Sequence, residues 1–115
     1  MSETSIFTRI LHGEIPSEIV AETENAFAIR DVAPKAPVHL LVIPKTEQYR
    51  NVVELAAGDP DLLAELVGLA NAVAAENGDG DFRLVFNTGP GAGQSVFHVH
   101  AHVLSGDLDE SSLGG

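Results

Sequence analysis

The sequence predicts an α+β domain: an antiparallel sheet of about five strands with one main helix and a short N-terminal helix. Three observations predict it. After Pro16 the helical period gives way to several short strand-like runs, one long segment after Asp59 repeats apolar residues with the helical period, and turn residues separate these runs. At 115 residues, 44% hydrophobic and 20% charged, the chain has the length and composition of one packed domain.

Thr4 or Ser5 caps a first helix in which Ile6, Phe7, Ile10 and Leu11 recur at helical spacing, and Gly13 ends it. Beyond Pro16 the period changes, and residues 19–22, 26–30 and 38–43 read as strands separated by the turn 23–25 and the loop 34–37. An antiparallel meander is the simplest arrangement. Asp59 is a good N-cap and Pro60 a good first helical residue, so a helix runs from there to Asn77 and stops at Gly78. Its apolar residues form two stripes, Leu62–Leu66–Leu69–Val73 and Leu63–Val67–Ala70–Ala74, flanked by a narrow polar face with Asp61, Glu65 and Glu76. One stripe covers the sheet and the other seeks a partner, which predicts a homodimer. Residues 82–87 read as a strand, 88–95 as a Gly-rich loop and 96–104 as a last long strand. One domain therefore spans 1–106, and 107–115 is an acidic tail. No repeat, heptad or linker interrupts it.

Seventeen acidic residues against six Lys and Arg give a net charge of −11, which repels a phosphate backbone and argues against nucleic acid as partner. A local set of N–H groups still holds a small anion whatever the distant charge. The chain has no cysteine, so disulfides, thiolate metal sites and cysteine nucleophiles are excluded. No apolar run reaches the ~20 residues of a membrane span, and the first residues lack the basic and apolar regions of a signal peptide. A cytoplasmic address and no membrane partner are the expectation.

Four of the five histidines are His39, His98, His100 and His102, and the last three occupy alternate positions. On a strand they share one face, with Phe97, Val99, Ala101 and Val103 on the other. His39 begins another strand and joins that face if the register permits. A single histidine reads as an ordinary polar residue, but three in alternation have no packing rationale. They read as a functional site.

Metal binding and nucleophilic catalysis both use such a cluster. At ~3.3 Å per residue His98 and His102 are ~13 Å apart along a straight strand, too far to converge on one ion at ~2.1 Å. Two of them with His39 are not, although no carboxylate stands at ligand spacing in the run. The catalytic reading makes the central His100 a nucleophile, which needs no strong base because free imidazole has a pKa of ~6.5. The preceding loop, residues 87–95, reads either as a flexible hairpin or as an anion cradle. Its glycines, Gly93 among them, let successive N–H groups approach a phosphate, with Gln94 and Ser95 adding side-chain donors. Its glycine spacing fits neither a dinucleotide fingerprint nor a Walker loop. Asp31, by itself, reads equally as a turn residue, and His12 as a helix-end residue complementing the dipole.

The run from Gln94 through His98, His100 and His102 to Val103 resembles the histidine triad (HIT) signature. The resemblance extends through Ile6–Phe7, Gly13 to Pro16, Ala26 to Ala28, Asp31, Ala36 to His39, Val42 to Lys45, and Arg83 to Asn87, and so covers nearly the whole chain to Gly106. It is most similar to the Hint-like branch. This resemblance implies a hydrolase or transferase acting on nucleoside 5′-monophosphates, AMP or GMP, joined to a leaving group through a P–N or acyl bond. It implies a homodimer, purine nucleotide conjugates as substrates, and no required metal or other cofactor. By the same resemblance His100 is the nucleophile, the His98 carbonyl orients it, His102 contacts phosphate oxygens and His39 completes the imidazole network. Ser95 and Asn87 are phosphate or leaving-group contacts, Asp31 binds ribose hydroxyls, and Phe7, Ile10, Phe27 and Val32 are walls for the base. The sequence departs from the Hint-like pattern in its tail, which is acidic where many members carry Trp-Pro-Pro-Gly. A tail folded over the site would disfavour acidic leaving groups, and a disordered tail would not.

Overall fold

The structure, a computed structural model, describes residues 4–112. The chain enters helix α1 (Ile6–Leu11) at Ser5, whose hydroxyl accepts from the Phe7 amide at 3.1 Å and so satisfies a first-turn N–H that has no helical partner. Of the two candidate caps, Ser5 is the one used.

Strands β1 (Ile19–Glu22), β2 (Ala26–Arg30) and β3 (Val38–Pro44) form the expected antiparallel meander, with Phe27 opposite Ile43 and Ala28 opposite Val42. A short helix, α2 (Val52–Gly58), follows where the sequence reading placed no element. Helix α3 (Pro60–Asn77) has the predicted limits, because the Asp59 side chain accepts from the Leu62 amide at 3.1 Å, Pro60 needs no donor there, and Gly78 ends it. Strands β4 (Arg83–Val85) and β5 (Ala101–Ser105) complete a five-stranded antiparallel sheet in the order β1-β2-β3-β5-β4. Both are shorter than the sequence suggests. The segment expected to be strand from residue 96 joins the ladder only at Ala101.

The sheet buries both faces. On one, Ala26, Ala28, Leu40, Val42 and Val103 pack under α3, which contributes Leu62, Leu66, Leu69 and Val73 at no more than 6% exposure. Each such side chain contributes about 1.5–3 kcal/mol by leaving water. On the other face Phe27, Ile29, Leu41 and Ile43 pack under α1 through Phe7 and Ile10. The second stripe of α3 is less of a surplus than its sequence implies: Ala70 and Ala74 belong to the same core, leaving Leu63 half-buried and Val67 exposed. Glu65, from the polar face, grips the β1–β2 turn by accepting from the Asn25 amide at 2.9 Å and from the Thr23 hydroxyl.

No helix among the described residues is long and apolar enough to cross a membrane. After Gly106 the chain turns at Asp107 (φ 57°), and its Asp109 carbonyl accepts from the Arg83 guanidinium. The last part of the predicted tail, residues 113–115, lies outside the described residues.

Candidate active site

His39 and His102 meet because β3 and β5 pair with His39 opposite Leu104. That register puts the two imidazoles on one face as diagonal neighbours, with Nε2 of His39 at 2.9 Å from Nδ1 of His102. Asp31, just beyond β2, brings a carboxylate oxygen to 3.3 Å from the same Nε2. Sheet pairing thus supplies a carboxylate that spacing along the histidine run does not reveal.

His98 and His100 precede the strand, so their placement rests on individual hydrogen bonds instead of a ladder. His98 is fully buried, its Nε2 2.7 Å from the Pro44 carbonyl and its Nδ1 2.7 Å from the Ser5 hydroxyl. Nδ1 of His100 lies 2.9 Å from the His98 carbonyl. The three imidazoles therefore do not share one strand face. His98 turns into the protein beside Phe7 (ring centroids 5.6 Å), and His100 lies between Phe7 (4.9 Å) and His102 (5.3 Å). Phe97, expected in the core, is half exposed, because period-two alternation does not apply where there is no strand.

These partners assign the protons. A carbonyl only accepts, so His98 carries its proton on Nε2 and receives the Ser5 O–H at Nδ1. His100 likewise carries its proton on Nδ1, which leaves Nε2 as a bare lone pair. The Lys35 main-chain N–H donates to Nδ1 of His39 at 3.0 Å, so the His39 proton is on Nε2 and is directed at Nδ1 of His102 and at Asp31. His102 in turn carries its proton on Nε2. All four imidazoles are held neutral. Burial lowers the pKa of His39, His98 and His100, in each case against smaller raising effects. For His102, burial, with the neighbouring His100 and His39 adding to it, lowers the pKa to about 4. The result is one unprotonated ring nitrogen with no partner among the described residues, Nε2 of His100, beside one ring donor, Nε2–H of His102. Such a pair can attack an electrophile and hold charge on it.

A cleft of about 300 Å³ is lined by Asp31, Lys35, His39, Asn87 and His102. The Asn87 amide has no hydrogen-bond partner among the described residues. The loop 87–95 uses its own donors more than expected: the N–H groups of Ala92, Gly93 and Gln94 bond to carbonyls of Gly89 or Pro90, and the Gly89 N–H bonds to the Gln94 side chain. Ser95, exposed at the end of the loop, keeps its N–H and hydroxyl without a partner among the described residues. Gly89 and Gly93, at φ 89° and 93°, need the absence of a side chain to make these turns. The Gln94 amide, expected to face the imidazoles, is buried and fully engaged inside the protein.

Of the four expected walls, Phe7 packs against His98 and His100, and Ile10 is buried with it in the apolar cluster under α1. Phe27 is completely buried beneath them, with no surface to offer, and Val32 is 91% exposed, outside the apolar cluster. Three contributors were not singled out by sequence: Ser5 as a partner of His98, and the Lys35 amide and Pro44 carbonyl as the groups that fix two tautomers. Main-chain partners leave no residue-type signal. Ser5 did, as a cap.

A model of the HIT domain family matches residues 12–109. A HIT-like protein of Synechococcus elongatus is 48% identical over 107 residues, covering 92% of this chain and 93% of the relative. The purine nucleoside phosphoramidase of Escherichia coli is 36% identical over 92% of this chain and 90% of its own. The solved structure of a HIT family hydrolase from Clostridium thermocellum superposes with a TM-score of 0.86 at 39% identity, covering 95% of this chain and 96% of the other.

Proposed function

This chain belongs to the HIT domain family, and from that premise and the ordering of its imidazoles we propose that it releases a nucleoside 5′-monophosphate from a phosphoramidate or acyl-nucleotide through a nucleotidyl-histidine on His100. One observation carries the reading: the His98 carbonyl at 2.9 Å claims the Nδ1 proton of His100 and leaves Nε2 unprotonated.

In the proposed reaction the Nε2 lone pair of His100 attacks the α-phosphorus, and the bond to the leaving group breaks. With a phosphoramidate the departing nitrogen takes a proton from solvent, and with an acyl-nucleotide the leaving group departs as its carboxylate. The nucleotidyl-imidazolium keeps its Nδ1–H on the His98 carbonyl, which stabilises the positive ring. His102 Nε2–H and the Ser95 N–H and hydroxyl hold the non-bridging oxygens. Water then attacks phosphorus, the P–Nε2 bond breaks, AMP or GMP leaves, and a proton is released. Asp31 and Asn87 hold the ribose and the leaving group, beside Phe7 and Ile10.

A second reading, a zinc site, is favoured by one observation: ligand atoms of Asp31, His39 and His102 lie within 4.8 Å of one another. The fit is poor. A cation on Nε2 of His39 would push its proton to Nδ1, where it meets the Lys35 N–H donor. The reaction is therefore read as needing no metal.

The reading includes a homodimer in the cytoplasm. The exposed side of α3 offers Ala64, Val67, Gly68, Ala72 and Ala75, small enough for close approach of a second helix. Sedimentation should give a dimer at micromolar concentration, and a monomer there removes this part of the reading.

Adenosine 5′-phosphoramidate, assayed with and without a chelator, tests the function. Release of AMP that is indifferent to chelation is expected. Turnover lost with chelator and restored by zinc would replace this mechanism with the metal reading, and AMP binding without turnover of any nucleotide conjugate would make the protein a nucleotide-binding module.

A further inference from the structure

Between Gln94 and His100 the chain carries Ser95 and two of the histidines, yet has no strand partner. It runs beside residues 49–50, which lead into Asn51, the N-cap of α2. One main-chain bond joins the two segments, from the Val99 N–H to the Tyr49 carbonyl at 3.0 Å. The other tie is a side chain. The Nε2 group of Gln94 donates to the Arg50 carbonyl at 2.7 Å and to the Val96 carbonyl at 3.0 Å, while its Oε1 accepts from the Gly89 N–H at 2.9 Å. The Gln94 main-chain N–H returns a bond to the Gly89 carbonyl at 3.1 Å. The orientation of the amide is unambiguous, since two carbonyls face one end and an N–H faces the other. Side chain and main chain of Gln94 together act as a peptide group would in a ladder, binding the start of the glycine loop to its end and both to the entrance of α2.

We propose that Gln94 is a positioning residue, buried and out of reach of ligand, that fixes the glycine loop and the Ser95 donors against α2 so that they meet the phosphate. This rests on the function proposed above. His100 and His102 are held by other bonds, to the His98 carbonyl and within β5, so loss of the Gln94 tie weakens substrate binding more than the chemical step.

The two variants Gln94→Glu and Gln94→Met separate this from a merely structural role. An ionised carboxylate cannot donate to the Arg50 and Val96 carbonyls, whereas a protonated one donates to one of them and still accepts from Gly89; burial among carbonyls favours the protonated form. With adenosine 5′-phosphoramidate, Gln94→Glu should have a KM within about three-fold of the parent at pH 5 and at least ten-fold above it at pH 8. Gln94→Met should show the ten-fold rise at both pH values, with kcat changed about three-fold or less. Amide hydrogen exchange at Gly89 should accelerate at least ten-fold in Gln94→Met while the amides of β3 do not change. A KM ratio for Gln94→Glu independent of pH, or unaltered exchange at Gly89, overturns the proposal. Should Gln94→Met fail to fold, Gln94→Glu at pH 5 and pH 8 decides. If the parent neither binds AMP nor turns over the phosphoramidate, the function falls, and the exchange result alone sustains or removes the positioning of the loop by Gln94.

Discussion

The hydroxyl of Ser5 lies 2.7 Å from Nδ1 of His98, 93 positions further along the chain, and the same oxygen caps α1 by accepting from the Phe7 amide. One atom thus accepts from the helix and donates to the buried imidazole. Ser5→Ala removes a cap, at about 1 kcal/mol, and orphans a buried ring nitrogen, at about 1–3 kcal/mol. Urea unfolding should therefore give a loss of roughly 2–4 kcal/mol. Ser5→Thr, which keeps the hydroxyl, should recover most of it, and an equal loss in both variants would show that the hydroxyl is not what matters.

His100→Ala should reduce turnover of adenosine 5′-phosphoramidate at least about a thousand-fold, because no other unprotonated nitrogen is aimed in its place. AMP affinity, measured by calorimetry, should stay within about ten-fold, since Ser95, Asn87 and Asp31 are untouched. An active variant sinks the nucleophile assignment.

The four lowered imidazole pKa values make stability depend on pH in a definite direction. In the folded protein they resist protonation, with His102 at about 4, whereas in the unfolded chain they titrate near ~6.5. Below that value the unfolded state binds more protons, so stability is full above pH ~6.5 and declines as pH falls toward about 4. The melting temperature should drop between pH 7 and pH 5, and His102→Asn should flatten the decline. By the same reasoning the acid limb of kcat/KM should have its midpoint below ~6.5, because His100 stays unprotonated there. A midpoint above ~6.5 would contradict the lowered pKa of His100.

Gly58→Ala tests the frame behind the loop. A Cβ at Gly58 would stand 2.5 Å from Cε1 of Tyr49, an overpacking that costs about 1–3 kcal/mol. Because the Tyr49 carbonyl receives the Val99 N–H, the shift should also reach the histidine segment and reduce kcat/KM. Tyr49→Ala removes the ring, so the double variant should be less destabilised than the sum of the two. Additive losses would mean that the contact is not the cause.

Among the described residues, none beyond Leu104 lines the histidine cleft, and Asp107 and Leu108 instead line the neighbouring cleft with Arg83. Truncation after Gly106 should therefore leave the ranking of amine against carboxylate-bearing leaving groups unchanged. A changed ranking would place the acidic tail within electrostatic reach of the site.

Where short-range signals govern, sequence and structure coincide. Asp59, Pro60 and Gly78 delimit α3 because capping and proline geometry are local, and β1 and β2 keep their expected limits because the turn 23–25 separates them. Helix α2 was missed because it buries only Leu55 and shows no apolar periodicity, although Asn51, which accepts from the Glu54 amide, was a legible start signal. The histidine run is the instructive case. His98, His100 and His102 alternate like strand residues, but Gln94 and His98 supply side-chain bonds to residues 44–50 that displace the ladder until Ala101. Which residues cluster could be read from the sequence. Which nitrogen of each carries the proton could not, because main-chain groups from distant segments decide it.

Strand β5 enters the sheet between β3 and β4, although it is the last of the five in the chain. A nascent chain that has been synthesised only as far as the glycine loop therefore carries an open edge along Leu40, Leu41 and Val42, in the middle of what will become the sheet. Such an edge is apolar, unpaired and prone to join a neighbouring chain. Folding to completion must wait for residues 101–105, and most of the sheet's closing contacts are long in sequence, which slows the final step relative to local helix formation.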